Sequence, residues 1–168
     1  MTDSFSTDNS NQVIHFDSRE HVRELALELA QQARREICFF GNTIDHVLFD
    51  DVSFIDCLSE FARRNNKTAV KFLIHSSQTN IQTGHRIIPL AQRLTSSIDI
   101  RTTAKQHQNL VQMFMLVDTN GYLYCQNYQR YQGRACFYDP AQVRSLKHTF
   151  DDMWNHGSVD GSMRRLHL

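Results

Sequence analysis

The sequence has no excess of either charge: eighteen lysines and arginines stand against eighteen aspartates and glutamates. Such a balance leaves no global field to draw the chain to nucleic acid or to an anionic membrane, although local basic patches stay open. No apolar run approaches the roughly 18 residues that cross a bilayer. The first twelve residues are polar and carry no apolar core of the kind a secretory leader needs. Cysteine is sparse: Cys38, Cys57, Cys125 and Cys136 are dispersed, with no C-x-x-C pair. Buried thiols in a reducing cytoplasm are the expectation, and a disulfide framework has no support. There is no P-loop, no G-x-G-x-x-G and no G-x-S-x-G elbow, so the usual signatures of phosphate-loop enzymes, dinucleotide folds and α/β hydrolases are missing. Neither a repeat nor a linker interrupts the 168 residues, a length that suits one domain.

What is present is organised around residues 110–128, LVQMFMLVDTNGYLYCQNY. Two apolar runs flank Thr119-Asn120-Gly121, and Asn-Gly is the strongest short-range hairpin signal. Val111, Met113, Met115 and Val117 alternate with Gln112, Phe114 and Leu116, so the first strand is apolar on nearly both faces. A strand of that kind belongs inside a covered sheet.

The other elements follow from periodicity and punctuation. Residues 1–11 are polar and expected to be disordered, and residues 12–168 form the domain. A short strand at 13–16 precedes a helix capped by Asp17, with Glu20 completing a capping box. Strands follow at 37–40, 69–74, 98–102 and 134–138. Helices fall after Asp51 or Ser53, at 85–95 with Pro89 in its first turn, and from Asp139-Pro140 onward. The order, helices alternating with short strands and then a hairpin, implies an α/β fold. Its sheet is expected to be mixed but mostly parallel, with helices on both faces.

This order, with a strand ending in Leu116-Val117-Asp118 before a glycine turn, resembles one half of the phospholipase D superfamily. There the strand reads H-x-K-x-x-x-x-D, its histidine attacks phosphorus, and its lysine holds phosphate oxygens. Aligned on Asp118, the histidine position is Val111 and the lysine position is Met113, so only the aspartate and the turn survive. The resemblance therefore implies a phospholipase D-like half that lacks the covalent mechanism. Several segments also resemble an uncharacterised family of bacterial domains related to that superfamily. They are Gly84-His85-Arg86, Leu94-Thr95-Ser96-Ser97-Ile98, Phe150-Asp151-Asp152-Met153-Trp154 and Arg165-Leu166-His167-Leu168. Relatives of that kind imply an acetyltransferase-associated partner protein, and single-half superfamily members imply a homodimer.

In open α/β sheets ligands bind beyond the carboxyl ends of the strands. Those ends, with Gly84-His85-Arg86, nominate Asn42, His75, Ser76, His85, Arg86 and Arg101 for a phosphate or carboxylate. No catalytic residue, cofactor or metal site is assigned. His148, Asp152 and His156 lie one helical turn apart, but no further ligand accompanies them. The aromatic-basic stretch Tyr122, Tyr124, Tyr128, Tyr131 and Phe137 with Arg130 and Arg134 is read as sheet packing, so nucleic acid is not the expected partner. The expected function is a non-catalytic binding or accessory module for a phosphate-bearing ligand or a protein partner. The alternative is a hydrolase or transferase using His75, His85 or the tyrosines.

Overall fold

A computed structural model describes residues 11–160. The expectation for residues 1–11 (Asn11 apart) and the Arg165–Leu168 segment fall outside them. The chain runs β1 (Ile14–Phe16), α1 (Arg19–Gln31), β2 (Glu36–Gly41), α2 (His46–Phe49), α3 (Val52–Arg63), β3 (Ala69–Ile74), α4 (Gln78–Thr83) and α5 (Ile87–Arg93). It continues through β4 (Ile98–Thr102), β5 (Met113–Val117), β6 (Gly121–Cys125), β7 (Gly133–Cys136), α6 (Pro140–His156) and β8 (Ser158–Val159).

Local chemistry accounts for most of these bounds. Ser18, rather than Asp17, caps α1, because its hydroxyl accepts the His21 N–H at 3.2 Å. Asp51 caps α3 and Asp139 caps α6, with Pro140 at the first helical position, where its missing N–H costs nothing. The short helices α2 and α4 carry too few residues for a periodicity to show, and strand β8 has two. Gly84 ends α4 in the left-handed conformation, φ +68°, which suits glycine.

The eight strands lie in the order β1-β7-β6-β5-β2-β3-β4-β8. Only β2–β3 and β3–β4 are parallel; the other five pairings are antiparallel. The sheet is therefore mixed, as expected, but mostly antiparallel. The physical reason lies in the connection from β4 to β5, which holds one 3₁₀ turn (Lys105–His107) and no crossover helix. A parallel return needs such a helix; without it, β5 runs back beside β2 in the opposite direction.

The central placement of β5 holds, with Met113, Met115 and Val117 all buried. These three face Ile37, Phe39, Val70 and Phe72 in a core covered by α1, α2, α3 and α5. Phe114 and Leu116 face the other way, into a smaller core under α6 that includes Phe40, Leu73, Tyr122, Phe150 and Trp154.

The turn differs from the Asn-Gly hairpin of the sequence. Val117 pairs with Gly121, so Asp118, Thr119 and Asn120 form the loop, and Asp118 is the residue at positive φ (+54°). Gly121 serves close approach instead: a Cβ there would lie 2.8 Å from Leu29 Cδ2 of α1. Asp118 is held by its carboxylate. Oδ1 accepts from the backbone N–H groups of Arg35 (2.8 Å) and Glu36 (3.0 Å), and Oδ2 from that of Arg34 (3.0 Å).

Candidate functional site

Strand register sets one transverse row on the α6 face: His15, Arg134, Tyr124, Phe114, Phe40, Leu73 and Arg101 are successive cross-strand neighbours. Helix α6 covers only part of that row. It begins beside the β5–β6 turn, where Asp139 N–H donates to Asn120 O, and ends near β4, where Arg101 Nη1 donates to Trp154 O. The corner where β1, β7 and β6 meet opens instead as a cleft of ≈ 830 Å³.

The cleft is lined by His15, Asp17, Val111, Tyr124, Gln126, Asn127, Arg130 and Arg134, among others. Its one carboxylate, Asp17, shares the lining with two arginines and an imidazole, and among the described residues none of the four forms an ion pair. Arg134 is braced by its aromatic neighbours, with its guanidinium carbon 4.7 Å from the Tyr124 ring centroid and 5.9 Å from that of Tyr122. The 126–132 loop is folded by Asn127, whose side chain accepts Gln129 N–H at 2.9 Å and whose carbonyl accepts Arg130 N–H. Gly133 lets β7 run close by: a Cβ there would lie 2.0 Å from Tyr124 O.

On the opposite face of β6 from the cleft, the ionisable groups offer little nucleophilic chemistry. Burial, then the Asp45 charge, pushes the Cys125 thiol up to about 12, so it stays protonated. Tyr131 donates its hydroxyl to Asp45 (3.0 Å), and burial with that carboxylate raises its pKa well above the usual phenol range.

A model of one protein family, described as a domain of unknown function, DUF7931, matches residues 18–166. The chain belongs to the DUF7931 family. No curated protein matches it. Solved structures share its fold at low identity. A phospholipase D family member, Nuc from Salmonella typhimurium, superposes with TM-score 0.62 at 19% identity, over 89% of this chain and 97% of that one. NucT from Helicobacter pylori gives 0.65 at 11%, over 89% and 99%. TrmBL2, an archaeal chromatin protein described with a novel mode of DNA binding, gives 0.66 at 14%, over 95% of this chain but only 58% of its own length. The fold is phospholipase D-like.

Within this DUF7931 chain the six residues nominated from sequence do not meet in one pocket. Asn42, His75 and Ser76 do lie together, since His75 and Ser76 N–H groups both donate to Asn42 O. The His75 ring is held at both nitrogens: Nε2 donates to Leu110 O (2.8 Å) and Nδ1 bonds the Thr103 hydroxyl (2.7 Å). His85 is buried at 1% exposure, with Nδ1 accepting Ile87 N–H. Burial pulls its pKa below the usual histidine value against the charges of Asp50 and Asp45. Arg86 is tied to Asp50 at 3.1 Å. Arg101 stacks on Trp154, 4.4 Å from its ring centroid, on the opposite side of the sheet from His85.

Of the aromatic-basic stretch, Tyr122 is buried and Tyr124 stacks on Phe114, as packing requires. Arg130 and Arg134, however, reach the cleft. The sequence reading had assigned these two to packing and had not singled out His15. The signal for them was the pairing of an alternating Tyr-x-Tyr strand with an arginine on its neighbour, which becomes visible only once β7 is in register with β6 and β1. Among the described residues no three metal-ligating side chains gather, and no helix is long and apolar enough to cross a membrane.

Proposed function

We propose that this domain is a non-catalytic binding module whose cleft at the β1–β7–β6 corner takes a phosphate-bearing ligand. The observation that carries the reading is the pair Val111 and Met113. At the position of the resembled nucleophilic histidine, Val111 lines the cleft and is 46% exposed, while Met113, at the lysine position, is buried in the core. A valine cannot attack phosphorus and a buried thioether cannot neutralise an oxyanion, so the superfamily's covalent step has no agents here. What remains are Arg130, Arg134 and His15, donors suited to phosphate oxygens. None of the four cysteines forms a disulfide, which suits a reducing cytoplasm. In the resembled superfamily a second half completes the site, and the same cleft, open at a sheet corner, favours a homodimer. Light scattering that returns the 19.6 kDa monomer mass at micromolar concentration would exclude it.

The test is isothermal titration with inorganic phosphate, together with a chromogenic phosphodiester assay. The double variant Arg130→Gln/Arg134→Gln is expected to weaken binding by about tenfold or more, and no turnover above background is expected. A loss confined to Arg101→Ala would move the ligand to the other end of the row. Turnover that disappears in His15→Ala or His75→Ala would establish the hydrolase reading instead.

A further inference from the structure

A second cleft, of ≈ 880 Å³, lies at the end of the central strands where β2 and β3 begin. Its walls come from the α1–β2 connection, the α3–β3 connection, the β5–β6 turn and the first turns of α6. Five permanent cations line it, Arg34, Arg35, Lys67, Arg144 and Lys147, against three carboxylates, Glu36, Asp118 and Asp151.

All three carboxylates are already engaged. Glu36 holds Lys147 (3.1 Å) and Lys71 (3.3 Å), Asp151 holds Lys147 (2.7 Å), and Asp118 accepts three backbone N–H groups. Lys147 is thereby the one lining cation with a counter-charge. Among the described residues, the side chains of Arg34, Arg35, Lys67 and Arg144 form no ion pair and no hydrogen bond, and all four are exposed. The Asp118 bonds fix the backbone that presents both Arg34 and Arg35, so this pair is displayed from a rigid segment.

We propose that this cleft binds a compact polyphosphate, a small molecule carrying several phosphoryl groups. Four cations without counter-charge, delivered by three separate connections into one cavity, match a ligand with several negative charges in a small volume. The cavity lies within the few hundred to a thousand cubic ångströms typical of small-molecule sites. Three of the four cations are arginines, whose planar fork pairs two-on-two with phosphate oxygens. No Phe, Tyr or Trp side chain lines the cleft, so it offers no stacking platform for a base, and the apolar wall of Ala69, Pro140 and Val143 carries no further acceptor side chain. The site is separate from the β1–β7–β6 corner and stands or falls independently of it.

The experiment is isothermal titration of the full chain with sodium tripolyphosphate at low salt, repeated with Arg35→Gln/Arg144→Gln. Both substituted side chains are exposed and free of hydrogen bonds, so the fold is retained and circular dichroism checks it. Binding that weakens about tenfold or more in this variant, and by less in Arg130→Gln/Arg134→Gln, is the expected result. Absence of binding to the parent chain, or parental affinity in Arg35→Gln/Arg144→Gln, overturns the proposal, as does a loss confined to the other double variant. Citrate binding as tightly as tripolyphosphate would remove the phosphate class. A duplex oligonucleotide binding more tightly, and losing affinity in the same variant, would reassign the cleft to a nucleic-acid backbone.

Discussion

Asp118 is the one residue of the resembled catalytic strand that survives, and its contacts give it an architectural task that can be measured. Three backbone N–H groups, two from the α1–β2 connection and one from the first residue of β2, end on its carboxylate at 2.8–3.0 Å, and its own N–H donates to Glu36 O at 2.8 Å. Its φ of +54° adds a conformation that aspartate and asparagine tolerate better than alanine. Asp118→Ala removes both acceptor oxygens, and with them all three bonds, and leaves left-handed backbone strain. A partly exposed site lets water replace some of the lost bonds, so about 1 kcal/mol for each bond and about 1 kcal/mol for strain is a fair scale, giving ~3–4 kcal/mol in all. Asp118→Asn keeps the backbone conformation and the Oδ1 acceptor for Arg35 and Glu36. It turns an amide NH₂ toward the Arg34 N–H and loses the charge, for ~1–2 kcal/mol. Urea melts of the two variants should therefore rank alanine well below asparagine, with unchanged m-values. A cost under about 1 kcal/mol for Asp118→Ala would refute the assignment, and so would equal costs for the two variants.

Three further outcomes are expected. Trp154→Ala should cost ~3–5 kcal/mol in denaturant melts, because the ring is buried against Phe150 and contacted by Arg101 and Lys71; under about 1 kcal/mol would show it dispensable. Gly133→Ala should destabilise more than Gly121→Ala, since the first places a methyl into the Tyr124 backbone and the second meets only the ends of Leu29 and Gln32; the reverse order in thermal melts would contradict this close packing. His85 has its folded pKa lowered by burial, so the unfolded chain binds its proton first. Stability should be full above about 6.5 and fall as pH drops below that value toward the folded pKa, and His85→Asn, which keeps an acceptor for Ile87 N–H, should flatten that part of the curve. Identical acid slopes for parent and variant would show that His85 does not titrate differently in the two states.

The fold class was legible because β5, α1, α3 and α6 carry clear apolar patterns, and Asp51, Asp139 and Pro140 mark helix starts by side-chain chemistry. Strand direction was not: that β5 returns beside β2 depends on a connection without a helix, and residues 103–109 read equally as any polar loop. The hairpin signal was correct in place but not in kind, since Gly121 is small because Leu29 approaches, a contact ninety-two residues away in sequence. The candidate site was the least legible part. His85, Arg86 and Arg101 are polar residues at loop ends, yet each is consumed by a local partner: Ile87, Asp50 and Trp154 respectively. His15, Arg130 and Arg134 form a group only through the register of three strands, which no local pattern encodes.

The order of the strands also decides where a chain continued past either end would emerge. Strand β1 leaves the N-terminal half to form one edge beside β7, and β8 leaves the C-terminal helix to form the other edge beside β4. Each half of the polypeptide thus supplies the border of the other half, a reciprocal clasp that makes the sheet a single closed circuit of dependence. Seven strand spacings separate those borders, roughly 34 Å at the ordinary ~4.8 Å per strand. Anything tethered ahead of β1 is held at one rim and anything tethered after β8 at the far rim. A circular permutant would need at least about ten extended residues in all between β8 and β1 to reach across.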